Sequence, residues 1–402
     1  MQNVLWTEGQ PKVLHVTISD DHRRIKLAGV GAFGMLATAI SSTIIGPSLP
    51  FIKEDLTINL FWLGIIGGAW YIGYLFTFVG GVLADKYGHV ATLTASLILV
   101  LSGLAMTAIS QSYTPLILFL VMTGLGAGFV ESTASSIVSK MYSKKPWLAM
   151  NLLHSFWGIG AAIGPGIAWL ALASFNSWRY AYATSALTYM PLIICTLLCL
   201  RHTNHERQLS EPIVHDPPTI FSANSKIVLL GLSGFFTQAV EVGINVWLPS
   251  FLILTRNVSL RDASLALGIF YASMVIGRIG LAKMPSIFHY RRTMIILVIL
   301  LSVSVFFAVS TDIGFFSIGF WALSGLFLGP LFPTLIAWVN SINPKRSGLS
   351  TGIMFTMGLQ GGVLSSWVIG AVADLTSLVY ATYLLLALAP LTLICMFVNS
   401  DG

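Results

Sequence analysis

Apolar residues in this chain come in long unbroken runs, with neither the alternation of a half-buried strand nor the one-sided stripe of a soluble helix. Twelve such runs can be marked, at 26–52, 60–83, 91–110, 114–139, 148–173, 178–200, 226–254, 264–284, 293–311, 314–339, 349–373 and 377–398. A helix needs about 20 predominantly apolar residues to cross the hydrocarbon of a bilayer. The pattern therefore predicts an all-α membrane protein with twelve transmembrane helices. Several runs exceed the minimum, which permits tilt or extension beyond the hydrocarbon.

The polar breaks between the runs orient the helices. Of the 21 lysines and arginines, all but Lys53, Arg179, Arg256 and Arg261 fall on the N-terminal tail, the loops that follow even-numbered helices, or the adjacent helix ends. Positive charge is retained on the cytoplasmic side, so both termini are expected there, in a plasma (inner) membrane. About the first 25 residues are polar, with no short apolar core followed by a small-residue cleavage site. Insertion is expected to be directed by the first spanning helix.

The longest polar stretch, 201–225, lies almost at the midpoint and carries prolines and charges suited to a linker without a packed core. The sequences on either side resemble one another. Gly124-Leu-Gly-Ala-Gly128-Phe-Val-Glu-Ser-Thr133 on helix 4 aligns with Gly325-Leu-Phe-Leu-Gly329-Pro-Leu-Phe-Pro-Thr334 on helix 10 at an offset of 201. Gly81-Val-Leu-Ala-Asp85-Lys86 after helix 2 has a fainter echo in Gly280-Leu-Ala-Lys283 after helix 8. Two pseudo-symmetric six-helix bundles are expected, 26–200 and 226–402, preceded by a cytoplasmic segment 1–25 and joined by the cytoplasmic linker 201–225. Transporters that rock around a midplane site share this plan.

Composition narrows the function. Hydrophobic residues make up 55% of the chain and charged residues 9%, with a mean hydropathy of +0.83, against about 25% charged in a soluble domain. The net charge of +6 follows the membrane sidedness and does not form a nucleic-acid patch. Cys195, Cys199 and Cys395 lie in apolar runs and suggest neither a disulfide framework nor a metal knuckle. No phosphate-binding Gly-x-x-x-x-Gly-Lys-Ser/Thr loop, Gly-x-Ser-x-Gly elbow or Cys/His cluster occurs. The expectation is a transporter and not an enzyme, without cofactor, driven by an ion gradient.

Two carboxylates, Glu131 and Glu241, sit deep within apolar runs. An acid at the bilayer centre costs about 2.5–3.5 kcal/mol on insertion scales, and carrying protons is a common reason to retain one. At 3.6 residues per turn, Glu131 shares its face with Gly124, Ala127, Gly128 and Ser135, a small-residue surface suited to close packing. Glu241 shares its face with Gly234, Thr237, Gln238 and Asn245, near Trp247 and Pro249. Carboxylate and amide groups bind hydroxyls, and an indole covers the apolar face of a sugar ring. The expected division makes Glu131 the proton carrier and Glu241 the ligand contact, with the roles exchangeable. Interhelical hydrogen bonding is the competing use for the amides. On helix 5, Asn151, His154 and Gly158 share a face; His154 reads as a proton relay or as a satisfied core residue, and Trp157 as cavity lining. Gln360 and Asn340 are weaker ligand candidates.

The segment Gly81-Val-Leu-Ala-Asp85-Lys86-Tyr-Gly88 resembles the loop 2–3 signature of the major facilitator superfamily, departing only where His89 and Val90 replace the usual basic pair. The resemblance covers essentially the whole chain and implies that fold, with Asp85 holding the cytoplasmic gate. Lys86 beside it is read as a gating feature, and Trp178-Arg179 opening helix 6 and Gly277-Arg278 closing helix 8 as packing and gating features. Helices 4, 7 and 10 resemble the fucose/glucose–proton symporter group, which implies uptake of a monosaccharide with a proton. Ser41-Ser-Thr43-Ile-Ile-Gly-Pro-Ser-Leu-Pro50 and Gly160-x-x-x-Gly164-Pro165 are similar to multidrug antiporters, which makes proton-driven efflux the alternative. Sodium stays open as the coupling ion, because a carboxylate among hydroxyls and carbonyls holds either cation. The partners implied are a small-molecule substrate and the lipid bilayer, with one chain sufficient for function.

Overall fold

The computed structural model describes the backbone of residues 4–7, 10–13, 18–141, 146–200, 225–342 and 347–397, and side chains within 25–139, 141, 150, 152–198, 225–342 and 350–394. The expected linker 201–225 falls almost wholly outside the described residues. The apolar runs form helices α1 (Ile25–Leu56), α2 (Leu60–Tyr87), α3 (His89–Ile109), α4 (Tyr113–Ser139), α5 (Leu152–Phe175), α6 (Trp178–Leu198), α7 (Ser225–Arg256), α8 (Leu260–Gly280), α9 (Met284–Ser310), α10 (Gly314–Ile342), α11 (Ser350–Leu375) and α12 (Leu378–Ile394). The first eleven are each long and apolar enough to cross a membrane. The twelfth is shorter, and from Thr392 it tightens into a 3-10 turn just after Pro390, which cannot donate to the carbonyl four residues back.

Two findings differ from the pattern-based expectation. A short hairpin pairs β1 (Val4–Thr7) antiparallel with β2 (Gln10–Val13) ahead of the helices, an element too brief for hydrophobic periodicity to reveal. The first helix also starts at Ile18, within the polar head, before its apolar stretch begins.

Prolines inside the helices decide where backbones approach one another. Each leaves the carbonyl four residues earlier without its helical donor, and three such carbonyls face a neighbouring helix. Pro330 frees the carbonyl of Leu326, which lies so close to Gly277 of α8 that any side chain there would collide with it. Pro333 frees the carbonyl of Gly329, which accepts a hydrogen bond from Nε of Arg278 at 3.2 Å. Pro249 frees the carbonyl of Asn245, pressed against Gly46 of α1 in the same way. Two of the three carbonyls thus meet a glycine on the neighbouring helix.

Helices α1–α6 and α7–α12 form two bundles that meet along α2–α11, α5–α8 and α1–α7. Among the described residues, the hydrogen bonds joining the bundles are Asn245 Nδ2 to the carbonyl of Ser42 (3.2 Å) and to the hydroxyl of Tyr71 (2.9 Å), Ser366 Oγ to the carbonyl of Gly64 (2.7 Å), and the N–H groups of Leu60 and Phe61 to the carboxylate of Asp374 (2.9 Å each). Their helical positions put all of them between mid-membrane and the end remote from the basic loops. That far end of the seam is shut.

Candidate functional site

The site is built around the middle of α7. Glu241 and Asn245 stand one turn apart on one face, and both are buried, Glu241 keeping 6% of its surface exposed. Helix α2 adds Tyr71, α8 adds Tyr271 and Arg278, and α5 adds His154 and Trp157. The Arg278 guanidinium is within electrostatic reach of Glu241, Tyr271 and His154, and Glu241 is within reach of Tyr71. The Trp157 ring meets that of Tyr271 edge-on with centroids 5.9 Å apart, and Gly158 packs against Val275 one turn further along α8. The seam between α5 and α8 therefore carries His154 and Trp157 on one wall and Tyr271 and Arg278 on the other.

Arg278 was expected to act at a gate. It lies half-buried in the last turn of α8, within electrostatic reach of Glu241 and His154. The carbonyl of Gly329, freed by Pro333, holds its Nε. Its two terminal nitrogens make no hydrogen bond among the described residues. Arginine presents a rigid fork of donors that matches a carboxylate or other oxyanion in two-point contact, and here the open end of that fork remains unoccupied by protein.

Asn245 is anchored through its amide nitrogen, so its Oδ1 is left buried without a donor. Gln238 Oε1, two turns towards the basic end, is in the same condition. Buried acceptors normally find partners, and a ligand hydroxyl or water would satisfy these.

Glu131 differs from Glu241. It is half-buried on α4, flanked by the line of contact to α2, where Gly124 meets Trp70 and Gly128 meets Thr77, and by the line to α1, where Gly31 and Gly34 meet Ala134 and Val130. This points it into the N-terminal bundle, as its small-residue face predicts. No charged side chain faces it among the described residues.

Other predicted site residues are dispersed. Trp247 is fully buried, its indole N–H donates to the carbonyl of Ser366 at 3.1 Å, and its ring lies against Gly64 and Gly370. In this conformation the ring is spent on the shut seam and stacks on no open space. Gln360 is exposed on α11 and is not hydrogen-bonded to the Glu241 cluster. Asn340 accepts from Thr351 Oγ1 at 3.2 Å within the C-terminal bundle. The side chain of Asn151 lies outside the described residues. Asp85 and Lys86 are exposed at the basic end of α2, far along the helix from Tyr71. Trp178 and Arg179 both bind Asp55, at 3.1 and 2.8 Å, a packing tie within the N-terminal bundle.

Sequence reasoning passed over Tyr71 and Tyr271, which complete the cluster. They occupy matching positions of the internal repeat, 200 residues apart, each preceded by an aromatic residue, Trp70 or Phe270. Aligning helix 2 with helix 8 would have found them.

Comparison with known proteins agrees with this architecture. The chain matches the Major Facilitator Superfamily over residues 31–288 and 230–400. It is 24% identical to a hexuronate transporter of Bacillus subtilis (strain 168) over 61% of this chain and 60% of that protein. It is 27% identical to a probable nitrate transporter, NarT, of Staphylococcus haemolyticus (strain JCSC1435), over 86% and 89% of the two chains. Among solved structures it resembles an inward-facing, occupied bacterial homologue of the human lysosomal transporter Spinster, with a TM-score of 0.74 at 13% identity over 94% of this chain and 96% of that one. A point mutant of the nucleoside transporter NupG gives a TM-score of 0.73 at 14% identity over 94% and 98%. The match reaches nearly the whole sequence, and the twelve-helix, two-bundle architecture agrees with it: the chain is a multi-pass membrane transporter, not an enzyme, and belongs to the Major Facilitator Superfamily.

Proposed function

We propose that this protein is a proton-coupled symporter of a small polar anion, with an acidic monosaccharide of the hexuronate class as the best-fitting substrate. The observation that carries the reading is the open guanidinium fork of Arg278, held by its Nε in the last turn of α8 and within electrostatic reach of Glu241. A neutral monosaccharide, expected from helices 4, 7 and 10, would bring no carboxylate to the two terminal nitrogens of Arg278. A sugar acid supplies one carboxylate for Arg278 and hydroxyls for Asn245, Gln238 and Glu241. The likeness to a hexuronate transporter supports this reading.

Nitrate is the second reading, because the NarT-like relatives cover more of the chain. A planar oxyanion also fits the fork, though it has no hydroxyls for the orphaned amide oxygens. Efflux of lipophilic cations, the alternative from helices 1 and 5, fits least, since a guanidinium repels such a cargo.

The proton gradient supplies the energy in this reading. Glu131 loads and releases the proton, and His154 relays it or tunes Arg278 across the α5–α8 seam. Asp85 and Lys86 serve the basic end as gate elements. With the basic loops cytoplasmic, the protein lies in the plasma (inner) membrane with both termini inside. The shut end of the seam then faces outward. One chain encloses the site.

Purified protein in proteoliposomes with an imposed pH gradient tests the reading against glucuronate, glucose, nitrate and a cationic dye. Gradient-driven accumulation of glucuronate, blocked by a protonophore, is the expected result. Accumulation of nitrate alone would select the second reading, glucose alone would restore a neutral substrate, and dye extrusion would reverse the direction of transport.

A further inference from the structure

The hydrogen bonds that close the seam change in kind from the centre outward. Near the site they are amide-to-carbonyl and amide-to-hydroxyl contacts of Asn245. At the far end the contact is between a charge and a helix terminus. Asp374, in the last turn of α11, directs its carboxylate onto the first turn of α2, with Oδ1 accepting from the N–H of Leu60 and Oδ2 from the N–H of Phe61, both at 2.9 Å. The next N–H, that of Trp62, is capped at 3.1 Å by α2's own Asn59. One bundle thus supplies half of the cap of a helix that belongs to the other.

The first N–H groups of a helix have no partner within it, and the aligned peptide dipoles favour a negative charge beside them. Charge-assisted hydrogen bonds are also stronger than neutral ones. Both bonds must break when the bundles part at this end, because donor and acceptor sit on opposite bundles. Asp374 is exposed and forms no ion pair among the described residues, so water solvates the separated groups and the contact can re-form. A strong, dry lock would arrest the carrier; a wet one biases it.

We propose that Asp374 and the first turn of α2 form a latch whose strength sets the balance between the states shut and open at the end remote from the basic loops. The latch stands apart from the candidate transport site and does not depend on which substrate that site takes.

The test is a distance measurement on the full chain in lipid nanodiscs without substrate. Spin labels go at Ser112 and Ile313, far-end positions in different bundles that make none of the latch's hydrogen bonds, with Cys195, Cys199 and Cys395 replaced by serine. Asp374→Ala is expected to raise the ratio of open to shut populations about tenfold. Leu60→Pro removes one donor while the helix start tolerates it, since the first helical position accepts proline and Asn59 is already extended (φ −81°, ψ 175°). It should shift the balance in the same direction by a smaller factor, with Leu60→Ala unshifted as its side-chain control. Combining Asp374→Ala with Leu60→Pro should open the far end no further than Asp374→Ala alone. A folded Asp374→Ala protein with the wild-type distance distribution, or full additivity of the two changes, overturns the latch. Should Asp374→Ala fail to fold, an unchanged distribution in Leu60→Pro overturns it instead.

Discussion

Glu131 and Glu241 look alike in the sequence: each is a lone acid in a long apolar run, one in each half. The structure separates them. Glu241 lies within electrostatic reach of Arg278, Tyr71 and Tyr271, one turn from Asn245, so its surroundings are polar. Glu131 stands among glycines, alanines and serines with no charged partner among the described residues. A nearby cation favours the charged form of an acid, which makes Glu241 the less free of the two to change charge. An acid with no partner changes charge at the cost of its own solvation alone. In the proposed function the solitary acid therefore carries coupling and Glu241 contacts the ligand.

Removing Arg278 should test this contrast hardest. Arg278→Gln leaves Glu241 without its counter-charge and the substrate without its anchor, and a loss of about 100-fold in anion affinity is expected, measured by titration calorimetry or initial uptake rates. Arg278→Lys should recover little, since lysine lacks the planar fork. Unchanged affinity in Arg278→Gln would remove the anion from the proposal.

Glu131→Gln should separate binding from coupling. Substrate exchange between equal concentrations across the membrane should persist near the wild-type rate, while accumulation driven by a pH gradient should be lost. Full gradient-driven accumulation in this variant would mean that Glu131 is not the carrier. Glu241→Gln, measured in parallel, should weaken affinity about tenfold and keep the coupling; the opposite pattern would exchange the two roles.

A smaller effect is expected at Tyr71, whose hydroxyl accepts from Asn245 at the boundary between the site and the shut seam. Tyr71→Phe removes one hydrogen bond and should lower affinity about fivefold, with coupling intact. The smallest functional effect is expected at Trp247. Trp247→Phe deletes the N–H that reaches Ser366 and should lower the Tm by a few degrees without changing affinity. A large fall in affinity would show that the indole meets the ligand in another conformation.

Hydropathy located the helices and the pair of intramembrane acids, because long apolar runs and intramembrane charge are properties of single segments, and the midpoint linker and internal repeat pointed to the two-bundle plan. It also oriented Glu131, since a face of small residues can only be a packing face. The same reasoning reached Trp247 and Gln360 only as residues of the right type. Whether an indole stacks on a ligand or seals a seam depends on what the neighbouring helix brings to it, and here that is the carbonyl of Ser366. That Arg278 comes within reach of Glu241 and His154 was not legible either, because it falls in the last turn of its helix, where a cation is ordinary.

The amino-acid order by itself determined how many times this chain crosses the membrane, where the basic loops fall, and that two acids had to be kept out of lipid. It also carried, in the prolines of Gly329-Pro-Leu-Phe-Pro333, the instruction to free a carbonyl at Gly329. Only the tertiary structure decided that Arg278 would take that carbonyl, that Tyr71 and Tyr271 would meet at Glu241, and that Asp374 would cap a helix more than 300 residues away. Membrane insertion is decided helix by helix from transfer free energy. Contacts across the seam depend on how two finished bundles are rotated against each other, which no single helix encodes.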